Sequence, residues 1–139
     1  MLGVNAAFLL AYNASKERPM AAKALTEAYD LNERALEGVL NTLSAKGLIA
    51  SIKGPSGGYY MPRPEDVTLA DVAGCFIGND ILPEAGPFKQ LNKLTGAALF
   101  AGWQAMRDMY KQINFQQLCE HAQGEEMPKI EQRYLDFVI

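Results

Sequence analysis

Apolar residues recur at helical spacing through the first third of the chain and then give way to short runs. Val4, Ala7, Phe8 and Ala11 form one stripe, which predicts a first helix from Leu2 to Ser15. Lys16-Glu17-Arg18-Pro19 breaks it. Ala21, Ala24, Leu25 and Ala28 predict a second helix, Met20 to Tyr29. After a short turn, Asp30-Leu31, Asn32 suits the cap of a third helix, because its side-chain oxygen can accept from the free amides of the first turn. Leu31 and Leu36 would staple that cap. Leu36, Val39, Leu40 and Leu43 follow i, i+3, i+4, i+7 and face inward. Lys46-Gly47 closes the helix, with a glycine suited to the left-handed position beyond a C-terminus.

The period then changes. Leu48 to Ile52 is an apolar run, Gly54 to Gly58 reads GPSGG, and Tyr59-Tyr60-Met61 is a second short run: a β-hairpin with a glycine-rich tip. Pro62-Arg63-Pro64 ends it. Thr68 is placed to cap a short helix, Leu69 to Phe76, with Asp71 in the first turn where the helix dipole favours a negative charge. Ile77 to Phe88 has no clear period and reads as a connector. A long helix comes next, Leu91 to Gln112. Within it and just beyond, Leu99, Trp103, Met106, Tyr110 and Ile113 repeat in alternating steps of four and three, the spacing of a packed helix pair, and are the predicted dimerisation residues. Phe115 to Ala122 predicts one more short helix, and the apolar end Tyr134 to Ile139 needs cover. The expected fold is mainly α with a small β-hairpin. Residues 1–76 form a winged helix-turn-helix, and residues 77–139 hold the connector, the long dimerisation helix and a C-terminal tail.

The overall charge of −3 at first argues against nucleic acid. Its distribution changes that. Residues 1–64 carry seven Lys and Arg against five Asp and Glu, a net of +2, whereas the remainder carries six against eleven, a net of −5. The basic excess lies in the half with the helix-turn-helix pattern. No apolar run approaches the roughly 20 residues of a membrane helix, and the start lacks the basic lead and cleavage site of a signal peptide; a cytoplasmic protein with no membrane partner is expected. The two cysteines, Cys75 and Cys119, are far apart in apolar settings, which suits small core residues better than a disulfide framework. Cys119 with His121 is too little for a metal site, and nothing cationic lies near Cys75 in sequence to activate it. A single histidine, no nucleophile elbow and no metal-ligand spacing leave nothing to run acid–base chemistry, so no enzyme is expected.

Two helices, a tight turn, a third helix and a glycine-tipped hairpin suit DNA. A helix fits the major groove, where base edges display a distinct donor and acceptor code, and its N-terminal residues reach the bases. Those residues are Asn32, Glu33, Arg34, Glu37, Gly38 and Asn41. Arg34 suits guanine, Asn41 adenine and Glu37 cytosine, and Gly38 allows close approach. In the hairpin, Gly54, Gly57 and Gly58 let backbone approach a phosphate, while Ser51, Ser56 and Lys53 add hydroxyls and a charge. The GPSGG tip is not a nucleotide loop, since no strand-GxxxxGK[ST]-helix pattern exists. Each feature alone is as well explained by a solvated face or a tight turn; their ordered combination points to DNA.

The run LEGVLNTLSAKGLIASIKGPSGGYYMPRPEDVTLADV, Leu36 to Val72, resembles the Rrf-two (IscR/NsrR-like) family of winged-helix regulators. The family pattern appears as Gly47-Leu48-Ile49, Ser51, Lys53-Gly54, Gly57-Gly58-Tyr59 and Val67-Thr68-Leu69-Ala70-Asp71-Val72. The later stretch Ile113 to Leu118 is similar in layout to the family's short helix. The resemblance implies a homodimer through the long helix on a palindromic double-stranded DNA operator, with the third helix in the major groove and the hairpin at the minor groove. Arg34, Glu37 and Asn41 then inherit base recognition, and Ser51, Lys53 and Gly54 the wing role.

The chain departs from the family at three points. Many members hold an iron–sulfur cluster through three cysteines between the post-wing helix and the long helix, but Phe76 to Leu94 contains none, and thiolates are the ligands such clusters need; no cofactor is expected. The wing arginine is Lys53, without the forked guanidinium. The lead before the first helix is short, which implies weaker contact there. A small-molecule or protein effector remains open, with Ile81, Leu82, Phe88, Phe100 and Trp103 as lining for a pocket. The leading expectation is a sequence-specific regulator acting as a repressor. The competing one is a winged-helix module that contacts proteins and has little DNA affinity.

Overall fold

Residues 1–77 and 89–130 of the computed structural model are described. They form α1 (Leu2–Asn13), α2 (Ala22–Tyr29), α3 (Glu33–Ala45), β1 (Ala50–Ile52), β2 (Gly58–Tyr60), α4 (Leu69–Gly74), α5 (Lys89–Tyr110) and α6 (Phe115–Gly124). The architecture is mostly helical with one two-stranded antiparallel hairpin.

The first helix is apolar nearly all round, and it is buried accordingly. Ala6, Ala7, Leu9, Leu10 and Tyr12 are inside, while Val4, Phe8 and Ala11, expected as its stripe, are only partly covered. A helix without a polar face belongs at the centre, and α1 packs against α3, α4 and α6. The next helix starts two residues later than its apolar spacing predicts. The Met20 N–H donates to the Tyr59 carbonyl (2.9 Å) and the Tyr59 N–H donates to the Met20 carbonyl (2.8 Å), so Met20 is held extended against the wing. Of the four residues expected to pack from α2, Leu25 is fully buried, Ala21 and Ala24 are half-buried, and Ala28 is exposed.

The α3 segment forms as its sequence requires. The Ala35 N–H donates to Asn32 Oδ1 at 2.9 Å, which satisfies one of the donors a helix start leaves free. Leu36, Leu40 and Leu43 are fully buried, Val39 is half-buried, and Leu31 packs on the core from before the cap. Gly47 lies just past the helix at φ 71°. The first hairpin strand is shorter than the apolar run that predicts it, and the second is of equal length but begins one residue earlier, at Gly58. Ala50 pairs with Tyr60, Ser51 with Tyr59 and Ile52 with Gly58, while Ile49 and Met61 at the base turn into the core.

Two reciprocal caps fix the starts of α4 and α6. Asp71 Oδ2 accepts from the Thr68 N–H (2.8 Å) as Thr68 Oγ1 accepts from the Asp71 N–H (3.2 Å), and Asn114 and Gln117 exchange the same pair of bonds at α6. The Phe115 N–H donates to the carbonyls of Pro64 and Val67, and the Phe115 ring is fully buried in the same core as Leu10, Leu25, Leu40 and Val72. The core therefore draws on residues from both sides of position 76. Beyond α6 the chain crosses the end of α1. The Tyr12 hydroxyl donates to the Met127 carbonyl (2.7 Å), Lys129 Nζ donates to the Tyr12 carbonyl (3.0 Å), and the Ile130 N–H donates to Asn13 Oδ1 (2.8 Å). Among the described residues no helix is long and apolar enough to cross a membrane. Ile81, Leu82 and Phe88 of the expected pocket, and the apolar end Tyr134 to Ile139, lie outside the described residues.

Candidate nucleic-acid interface

The helix-turn-helix is α2, the turn at Asp30 and Leu31, and α3. Asp30 adopts φ 49°, a left-handed turn conformation that aspartate tolerates better than most residues, and it lets the chain reverse in so few residues. With Leu36, Leu40 and Leu43 directed into the core, the opposite face of α3 is left to solvent. Arg34, Glu37, Gly38 and Asn41 are all exposed, and their i, i+3, i+4, i+7 spacing puts them along one line of the helix. The Gly38 carbonyl accepts from Thr42 Oγ1 (2.9 Å). Nothing lies within 4 Å of where a Gly38 Cβ would stand, so the fold itself does not demand glycine there. Asn32 is exposed, but its Oδ1 is engaged by the cap, which leaves its amide nitrogen as the group free to face outward.

The wing carries Ser51, Lys53, Gly54 and Ser56, all exposed. Two of its glycines have reasons internal to the fold. A Cβ on Gly57 would strike the Ile52 carbonyl, and one on Gly58 would strike the Met20 backbone. The same close approach makes the Met20–Tyr59 bridge, which ties the wing to the start of α2. Among the described residues the ion pairs are Lys23–Glu27, Arg63–Asp66 and Lys111–Asp108. Arg34 and Lys53 belong to none of them, so their charges are free to meet a phosphate or a base.

The five residues expected on the dimerisation seam are distributed differently. Leu99 is 61% exposed. Trp103, Met106 and Tyr110 line a crevice against α4 of the same chain. Ile113 is half-buried, and its carbonyl accepts from the Leu69 N–H at 2.8 Å. Two residues off the seam, Phe100 and Met109, are exposed apolar groups of α5; their character is visible in sequence, but a four-three count passes over them. Met20 escapes sequence reasoning as a wing anchor, since nothing local announces a pairing with Tyr59.

A polar-faced second helix of a helix-turn-helix, flanked by a wing that carries Lys53, defines a winged helix-turn-helix protein. The family model of Rrf2, described as an iron-dependent transcriptional regulator, matches residues 2–121. The chain belongs to the Rrf2 family. It is 36% identical over 77 residues to BadM of Rhodopseudomonas palustris, named as a putative HTH-type transcriptional regulator; that stretch is 55% of this chain and 48% of BadM, so the match spans about half of that relative. It is 25% identical over 119 residues to the HTH-type transcriptional regulator CymR of Bacillus subtilis, 79% of each chain. In structure it is similar to T. potens IscR, with a TM-score of 0.68 and 25% identity over 91% of this chain and 87% of that one. The B. subtilis CymR structure gives 0.62 and 19% over 87% and 95%. The named relatives and the family are regulators, not enzymes.

The family description names iron, and the described residues do not fit an iron site. The chain has two cysteines, one at the C-terminal cap of α4 and one within α6. Burial pushes both thiols up from their ordinary pKa, which favours the neutral form over the thiolate a metal binds. Among the described residues no group of three or more His, Cys, Asp and Glu could hold a metal ion.

Proposed function

We propose that this regulator binds a palindromic DNA operator as a homodimer and represses transcription by occupying it. The observation that carries the reading is the free polar line of α3, Arg34 to Asn41, lying on a helix whose other face is locked into the core. In this arrangement α3 enters the major groove, where Arg34, Glu37, Gly38 and Asn41 address base edges and Asn32 flanks them. Ser51, Lys53, Gly54 and Ser56 hold the backbone, with Gly57 and Gly58 shaping the wing that presents them. The exposed apolar residues of α5, Leu99 and Met106 with Phe100 and Met109, supply the dimer contact, while Trp103, Tyr110 and Ile113 of the expected seam turn toward their own chain and back that surface. Two recognition helices related by the dimer axis then require a site with matching symmetry. Repression needs no surface beyond those that grip the operator, because occupancy excludes other proteins. The chain works where its DNA is, in the cytoplasm, and its effector is a small molecule or protein rather than an iron–sulfur cluster, because the thiolates for a cluster are lacking.

The test is selection from a random-sequence DNA pool, repeated across a salt series. The expected outcome is a palindromic motif whose affinity falls steeply with salt. Weak, unselective binding at every salt concentration would instead favour a winged-helix module that contacts proteins, and a pull-down would come next.

A further inference from the structure

The crevice between α4 and α5 has a volume of about 450 Å³, within the range of small-molecule sites. Its walls are amphipathic in a particular way. Trp103 and Tyr110 supply flat apolar surface, and Lys46, Arg107 and Lys111 bring three cations to the rim. Asp71 is the single carboxylate among the lining residues, and its Oδ2 already accepts from the Thr68 N–H and hydroxyl, both at 2.8 Å. Lys111 has a partner in Asp108 (3.2 Å). Lys46 and Arg107 have no ion pair among the described residues. The Arg107 guanidinium lies instead over the Trp103 ring, 5.4 Å from its centre. Trp103 Nε1 is shut off from solvent and has no hydrogen-bond partner among the described residues, an uncommon state for a buried donor.

We propose that this crevice is an effector site for a small organic anion with a flat apolar body, such as an aryl carboxylate. The ring stacks on Trp103 and Tyr110. The carboxylate draws Lys46 and Arg107 onto itself. The place of the crevice supplies the coupling. Lys46 is the C-terminal cap of α3, Leu48 leads into the wing, and Trp103 to Lys111 belong to the helix we assign to the dimer. A ligand wedged there bears on the angle between the recognition helix and α5, and so on the spacing of the two recognition helices in a dimer. A ligand that prefers one spacing shifts DNA affinity, and DNA shifts ligand affinity by the same factor. The regulatory part of this proposal rests on the DNA-binding reading; the occupancy of the crevice does not.

The sequence contains one tryptophan, so intrinsic fluorescence reports from the crevice itself. The full chain, without DNA, is titrated with phenylacetate, 3-phenylpropanoate and mandelate, and in parallel with acetate and benzylamine. At least one aryl carboxylate is expected to change Trp103 emission saturably in the millimolar range or below, acetate and benzylamine to leave it unchanged, and Arg107→Gln with Lys46→Gln to weaken the response at least tenfold. Circular dichroism checks that the variant is folded, and Lys23→Gln on α2, outside the crevice lining, serves as a charge control. Absence of a saturable change with all three aryl carboxylates, an equal response to benzylamine, or a response untouched by the double variant overturns the site. Operator binding with and without the ligand is then compared; a change of about 5-fold to 150-fold is expected for coupled sites. Loss of operator binding by the unliganded protein would sink the regulator reading and leave the fluorescence result standing, so the two failures are distinguishable.

Discussion

The winged-helix body and α5 are both rich in apolar residues, yet they dispose of them in opposite ways. In the body, Leu10, Leu25, Leu36, Leu40, Leu43, Val72 and Phe115 are shut off from water. On α5, Leu99, Phe100, Met106 and Met109 remain open over a helix of 22 residues. A patch of this kind is rarely left bare on a monomer. The body holds itself together. The long helix leaves these residues exposed, and the proposed dimer is what would cover them.

Truncation should divide the two regions most sharply. Leu40→Ala in the body is expected to cost about 2–5 kcal/mol of unfolding free energy, a large part of the roughly 5–15 kcal/mol a small domain has. Leu99→Ala should stay within about 0.5 kcal/mol at dilutions where only monomer is present. Urea unfolding measures both, and equal losses would mean that α5 is integral to the body. The charge-introducing Leu99→Arg probes the other side: sedimentation should show dimer becoming monomer, with secondary structure by circular dichroism unchanged. A dimer that survives Leu99→Arg would move the contact away from this part of α5.

Within the body, α3 and the wing should also separate. Arg34→Ala is expected to cost about 1–3 kcal/mol of operator affinity and to relax preference at one base pair per half-site. Lys53→Ala should weaken all sequences alike and lower the slope of log affinity against log salt by about one per subunit. If Arg34→Ala weakens every sequence equally, the arginine holds phosphate rather than a base. The smallest expected effect concerns the thiols. Burial raises the pKa of Cys75 and of Cys119, so the thiolate fraction at neutral pH is below that of a free thiol, and iodoacetamide should label the folded protein more slowly than the urea-unfolded chain. Because the raised values belong to the folded state, any stability linked to these thiols is fully present at neutral pH and is lost as pH rises through the folded-state values. Labelling as fast when folded as when unfolded would contradict the burial.

What was legible in the sequence was whatever depends on neighbours along the chain. The Asn32 cap, the Thr68 cap, the inward leucines of α3 and the glycine-tipped hairpin are local arrangements, and each formed where the residues called for it, with Asp71 adding a reciprocal bond to its place in the first turn. The line Arg34–Asn41 could be placed on one face for the same reason. Long-range pairings were not legible. Met20 carries no mark of its bridge to Tyr59, so the start of α2 was set two residues early. Phe115 sits in a modest apolar run, and nothing there says that its ring completes a core begun at Leu10. The steps from Trp103 to Tyr110 showed that one side of α5 is apolar. They did not show that part of this side meets α4 of its own chain, because periodicity marks a face and is silent about what the face touches.

The strap formed by Met127, Lys129 and Ile130 across Tyr12 and Asn13 has a consequence for how the protein is made. The helix at the centre of the body leaves the ribosome well before the residues that lock its end. Until Phe115 and the strap have emerged, the leucine-lined interior of the nascent chain has an open side, and its longest-range contacts are the slowest to form. A half-translated chain is thus a body without its final wall, with Leu10, Leu25 and Leu40 still waiting for the Phe115 ring that completes their core.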